Sequence, residues 1–252
     1  MESADAKMIR AHENIEGIGR EINEWCASIK VTMDLKTAAD HPLPWLVLHA
    51  NDYIPPIRIS ILIGECVHNM RSALDNLVCG LARTLKPTCK CDGLAFPLLA
   101  NQAEWNEKAD SLKGIPPAAK EVIRQLQPWA STISPNPLTI LKKLSNLDKH
   151  RACNFTLAHN RNATFRIHCS NDVILEVAVE KPLYLGDVHT ISLAIDKRLV
   201  ENGARVESSG TFVLTFQEES DWDDMPVLQV LQNCFDHIER KVIGQLKPFF
   251  ER

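Results

Sequence analysis

Much of what would announce a function is missing from this chain. No charge of one sign dominates: Lys plus Arg number 28, Asp plus Glu number 32, and the formal net charge is −4. Bulk charge therefore gives no footprint for nucleic acid or an anionic membrane surface. No uncharged apolar run approaches the roughly 18 residues of a membrane helix. Met1 to Arg10 is polar and acidic at first, which is not the pattern of a signal peptide. The chain also lacks a Gly-rich phosphate loop, a nucleophile elbow, an internal repeat and a low-complexity segment. These absences give no membrane call and point to a cytoplasmic protein whose reaction its sequence does not name.

What is present is ordinary globular chemistry. The 252 residues are 45% hydrophobic and 24% charged, enough for a sizeable core. Eight cysteines are spread from Cys26 to Cys234. Without a secretory leader they read as reduced thiols, and Cys66 and Cys79, inside a helical pattern, read as small core residues. Cys89-Lys90-Cys91 is the one close pair, and it falls short of the two separated pairs of a structural zinc site.

The hydrophobic period assigns the architecture. Met8, Ile15, Ile18, Ile22, Trp25 and Ile29 recur at three- and four-residue spacing and predict a long amphipathic helix. Its seam suits an intramolecular partner, with a homodimer as the alternative. Val31–Lys36 and Trp45–Ala50 read as a strand pair. Asp52, Pro55 and Pro56 then open a second helix that runs to about Leu85. Shorter helices are expected over Gln102–Leu112, Pro117–Leu126 and Leu138–Leu147. From Cys153 to Gln217 the period changes to two, as in Phe165, Ile167 and Cys169 alternating with Thr164, Arg166 and His168. A last helix covers about Met225–Leu246. The expected fold is a single α+β domain over 1–252: mainly helical to 150, a β-meander over 151–220, and a C-terminal helix over 221–252 that returns to the bundle. A helical layer would pack on the antiparallel meander.

Two polar constellations stand out. At about 100° per residue, with His68 at zero, the apolar side of the second helix falls between about 140° and 240°. Glu65, His68, Arg71, Ser72 and Asp75 lie within about 60° of zero on the same count. Three readings are open: a solvated face, an ion-pair network, or a functional site. Arg71 and Asp75 are spaced i,i+4 for pairing. The second constellation is Asn146-Leu147-Asp148-Lys149-His150-Arg151, at the expected end of the third short helix. Its cations suit a helix C-terminus, which leaves Asp148 unexplained. His150 titrates near neutral pH and with His68 would make an acid–base pair, oriented by Asp75 or Asp148. Arg71, Lys149 and Arg151 are suited to a phosphate or carboxylate, with Asn146 as a further polar contact. The catalytic candidates are thus His68, Arg71, Asp75 and His150; the binding candidates are Asn146, Asp148, Lys149 and Arg151. Their spacing carries no metal signal, and the sequence specifies no cofactor.

The segments His68-Asn69-Met70-Arg71-Ser72-Ala73-Leu74-Asp75 and Leu147-Asp148-Lys149-His150-Arg151, with Phe96-Pro97 and Gln127-Pro128, resemble an uncharacterised family of bacterial proteins. The resemblance covers most of the chain and implies its fold rather than an activity. A weaker resemblance is to HEPN domains, helical bundles that include many ribonucleases with an Arg and a His on one helix. With four residues intervening after Arg71 the matching position is Asn76, and an amide is neither a general acid nor a general base. The sequence leaves three functions open. They are an anion- or nucleotide-binding cleft, a HEPN-like ribonuclease or nucleotide-processing enzyme, and a structural protein with a buried salt-bridge network. The partners these imply are an anionic small molecule, a nucleotide or RNA.

Overall fold

The two periodicities become helices and antiparallel strands in a computed structural model. It describes residues 1–28, 30–38, 43–51, 54–112, 114–150, 155–159, 163–169, 174–179, 183–185, 189–192, 205–208, 212–216, 222 and 225–251. The fold is α+β, as the pattern predicts. The chain divides into two compact units: residues Met1–Glu21, Ile57–Cys153 and Leu228–Arg252 form one, and Ile22–Pro56 with Asn154–Val227 the other.

The first unit is helical and is built around α2 (Ile57–Leu85). Ile63, Cys66, Met70, Ala73, Leu74, Leu77 and Leu81, the side expected to face the core, are all buried. Val67, Val78 and Ala82 are buried too, so neighbours surround α2 on more than one side. Each fully buried Leu or Ile contributes about 1.5–3 kcal/mol. α1 (Glu2–Ser28) lays the start of its seam here. Met8, Ile15, Ile18, Ile22 and Trp25 are buried within one chain, which leaves none of these five free for a second copy; Ile29 lies outside the described residues.

Short helices follow, each with a local reason to start. α3 (Gln102–Lys108) is capped by Asn101, whose side chain accepts from the Glu104 N–H at 2.9 Å. The Glu104 carboxylate in turn accepts from Ala100 N–H at 3.1 Å. A 3₁₀ turn (Ala109–Leu112) extends α3 to the expected end. α4 (Pro117–Gln125) opens on a proline at its first position. α5 (Pro137–His150) opens on Pro137, with the Asn136 side chain accepting from Leu138 N–H at 2.9 Å. It runs three residues past the expected Leu147, because Asp148, Lys149 and His150 include no helix breaker.

The C-terminal helix returns to this unit. α6 (Val227–Asp236) continues as a π-helical stretch, His237–Ile243, before a last turn, Gly244–Leu246. Leu228 reaches Gly19, the Cys234 thiol donates to Pro137 O at 3.4 Å, and Phe250 packs on Gly80.

The second unit holds the strands: β1 (Lys30–Lys36), β2 (Trp45–Asn51), β3 (Phe155–His159), β4 (Ala163–His168), β5 (Ile174–Val179), β6 (Leu183–Leu185), β7 (His189–Ser192), β8 (Arg205–Ser208) and β9 (Phe212–Phe216). All pairings are antiparallel, in three-stranded sheets of order β1-β2-β7, β6-β3-β9 and β5-β4-β8. Among the described residues, consecutive strands pair in β1–β2 and β4–β5, whereas the other pairings skip along the chain rather than following a simple meander order. Alternation sets the faces as expected. Phe165, Ile167 and Cys169 are buried while Arg166 is exposed and pairs with Glu176 across the ladder at 2.8 Å.

Candidate functional site

The polar arc of α2 is not a uniform solvated face. Toward its N-terminal end it meets α1 in a buried amide ladder. Lys7 Nζ donates to Asn69 Oδ1 at 3.1 Å, Asn69 Nδ2 donates to Asn14 Oδ1 at 3.3 Å, and Asn14 Nδ2 donates to Glu65 Oε2 at 3.2 Å. Asn76, at the position where a HEPN histidine would stand, donates to the hydroxyl and carbonyl oxygens of Ser3. His68 is exposed and lies 3.3 Å from the Ser72 hydroxyl.

One turn along, Arg71 and Asp75 grip the loop that follows α2. Arg71 Nη2 donates to Phe96 O at 2.7 Å and lies 3.1 Å from Asp75 Oδ1. Asp75 Oδ1 also accepts from Phe96 N–H at 2.9 Å. Both backbone groups of a fully buried residue are thereby satisfied by one ion pair. Two further ties hold this loop. Cys91 is disulfide-bonded to Cys79, and the buried Gln127 accepts from Leu99 N–H at 3.1 Å while donating to Ile123 O at 3.0 Å. Cys79 is thus a half-buried disulfide partner rather than the small core thiol its helical position suggested.

Beside this clamp lies a cavity of about 380 Å³. Its polar lining comes from Arg71 on α2, Lys108 and Ser111 around the end of α3, and Lys142, Ser145 and Asn146 on α5. The loop supplies the opposite wall, through Gly93, Ala95 and the run Phe96 to Leu99. Among the described residues the lining therefore holds three cations and no Asp or Glu. Arg71 Nη1 is buried without a hydrogen-bond partner. Burial pulls the Arg71 pKa down and Asp75 pushes it back up, and a guanidinium stays charged throughout.

Of the residues proposed from sequence, Arg71 and Asn146 line this cavity, so the two distant segments meet at one place. Asp75 stands behind Arg71 as its partner. His68 is not among the lining residues. Asp148, Lys149 and His150 belong to the last turn of α5, but their side chains, like all of Arg151, lie outside the described residues. Sequence reading did not single out Lys108, Ser111, Lys142 or Ser145. A signal for part of the set existed: Lys142, Ser145 and Asn146 are spaced i, i+3, i+4 and share one face of a helix.

The described lining is electropositive. It offers positive charge, two hydroxyls and an amide, with no histidine or cysteine among its described side chains. The Cys66 thiol, two residues before His68, is no nucleophile: burial raises its pKa to about 12 and it is bonded to Ala11 O. Among the described residues no group of His, Cys, Asp and Glu is arranged to hold a metal ion. No helix among them is long and apolar enough to cross a membrane. No family model, curated protein or solved structure matches this chain.

Proposed function

We propose that the protein is a cytoplasmic binder of a small anion bearing a phosphate or carboxylate group, held in the cavity between α2, α5 and the loop after α2. The observation that carries this reading is the lining: among the described residues it holds three cations and no acidic side chain, and one of the cations has a buried N–H donor left without a partner. Such a set is costly to assemble without a ligand, since the cations repel one another and the buried donor is unsatisfied. A volume of about 380 Å³ falls within the usual range of small-molecule sites, and a mononucleotide is the nucleotide-class candidate.

A structural role for Arg71 has its own support in the bonds to Phe96 and Asp75, and the two roles separate by mutation. Lys142→Ala removes a half-buried cation that makes no ion pair among those described. It should weaken binding of AMP, citrate or inorganic phosphate by about 10–100-fold, the value of a charge-assisted contact, with melting unchanged. Lys108→Ala, at an exposed position, should cost less and lose its effect in high salt. Calorimetric titration checks both. If none of the three anions binds the wild-type protein, the reading fails.

A further inference from the structure

We propose that the Cys79–Cys91 disulfide is a redox clip that sets the shape of this cavity, so that the oxidised protein binds its anion more tightly than the reduced one. The inference rests on the anion-binding reading above. Cys91 is joined to Cys79 across a separation of 12 residues, with the two Cα atoms 5.4 Å apart. Cys79 lies one turn beyond Asp75 on α2, so the clip and the Arg71–Asp75 grip hold the same loop to the same helix. The clip is the anchor nearest Gly93, two residues after Cys91, while Ala95 stands next to the Phe96 grip; both residues line the cavity.

Two independent features mark this stretch as held rather than self-supporting. Cys91 has φ 61°, the left-handed region that a side chain with a Cβ disfavours. Gly93 follows at φ 71°, and a Cβ built there would meet no atom within 4 Å, so the loop is open on that side. Once the sulfur–sulfur bond is gone, what remains around Cys91 includes the Leu94 N–H to Cys91 O bond at 3.1 Å, the Cys89 N–H to Lys86 O bond at 2.9 Å, the exposed Arg83 Nε to Cys89 O bond at 3.2 Å and a long contact of 3.7 Å from the Cys91 sulfur to Cys79 O. The anchors at Phe96 and Leu99 stay in place. Reduction therefore loosens one wall of the site without dismantling it.

The step balances with a dithiol as reductant. Two electrons and two protons pass from the dithiol to the Cys79–Cys91 bond, giving two protein thiols and one disulfide in the reductant. Cys89, half-buried and two residues from Cys91, stays a thiol in both states.

The test uses the full chain, air-oxidised or treated with dithiothreitol, with alkylation and intact mass counting the thiols. Hydrogen exchange is read on peptides covering residues 89–95, and AMP affinity is read by calorimetry. Expected on reduction are faster exchange over 89–95, unchanged exchange in α2 and α5, and a loss of about tenfold in AMP affinity from the lost preorganisation. Cys91→Ser should behave as the reduced form whether or not dithiothreitol is present, and Cys89→Ser should respond like wild type. Chemical reduction of the wild-type chain keeps the test decisive if Cys91→Ser does not fold. Unchanged exchange over 89–95 overturns the clip, and loosened exchange with equal AMP affinity overturns its control of the site. Should AMP, citrate and inorganic phosphate all bind neither form, the anion reading falls and the exchange result alone decides whether the loop is clipped.

Discussion

Asp75→Ala is the sharpest probe of the clamp. The carboxylate accepts from Phe96 N–H at 2.9 Å and lies 3.1 Å from Arg71 Nη2. Phe96 is fully buried, so the truncated chain leaves its N–H without an acceptor and without water. A lost hydrogen bond to a charged group costs about 1.5–3 kcal/mol. The ion pair adds less, because its side chains keep 23% and 35% of their exposure, and solvent screening holds that part to about 0.5–1 kcal/mol. The sum is about 3 kcal/mol, which for a chain of this size lowers Tm by roughly 6–12 °C. Asp75→Asn keeps an oxygen for Phe96 and should lose only about 1 kcal/mol. Urea unfolding read by hydrogen exchange in α2 and α5 gives the cost within the helical unit. A cycle with Arg71→Ala should return a coupling of about 1 kcal/mol. An Asp75→Ala chain within about 0.5 kcal/mol of wild type, with the Phe96 amide equally protected, would refute the clamp.

Two other sites make separable predictions. A Cβ added at Gly80 meets Phe250 Cε1 at 2.7 Å, so Gly80→Ala must displace that ring. Thermal melts should show it destabilising the wild-type chain yet stabilising a Phe250→Ala chain by about 1 kcal/mol, the helix-propensity gain. Burial, then Lys241, lowers the His237 pKa from 6.5. The unfolded chain thus takes up a proton first as pH falls, so stability drops below about pH 6.5 and levels off once pH passes the folded value. His237→Leu should flatten that part of the stability–pH curve; an identical slope in the variant counts against the assignment.

The period of the hydrophobic residues carried the fold a long way. It placed α2 between Pro56 and Leu85 and identified its buried side, since an i,i+3,i+4 stripe can face a core in one way only. It also separated buried Phe165 and Ile167 from exposed Arg166. Strand partners were another matter. A period of two fixes which face a residue takes but not which strand lies beside it, so the pairing of β2 with β7 and of β3 with β9 left no local trace. The π-helical stretch at His237–Ile243 is hidden for a similar reason, as Ile238 and Val242 keep the ordinary i,i+4 spacing. Cys79 was misread because a helical wheel gives a cysteine's direction and not the loop that returns to meet it.

At the site, residue type led to Arg71 and Asn146, which line one cavity, but not to what Asp75 holds. Arg71 and Asp75 drew attention as charged groups spaced i,i+4 for pairing on one helix, and they do pair. Their partner is a backbone, Phe96, which no spacing rule connects to α2. Once Asp75 is committed to Phe96 N–H and Arg71, its charge is spent on the loop rather than on the cavity. Arg71 is shared between that carboxylate and the cavity, whose other described cations are Lys108 on α3 and Lys142 on α5. The Phe96-Pro97 and Gln127-Pro128 motifs gain a physical meaning from the same geometry. Phe96 and Gln127 are where the loop is tied down, so they shape the wall of a site whose chemistry is supplied by other residues.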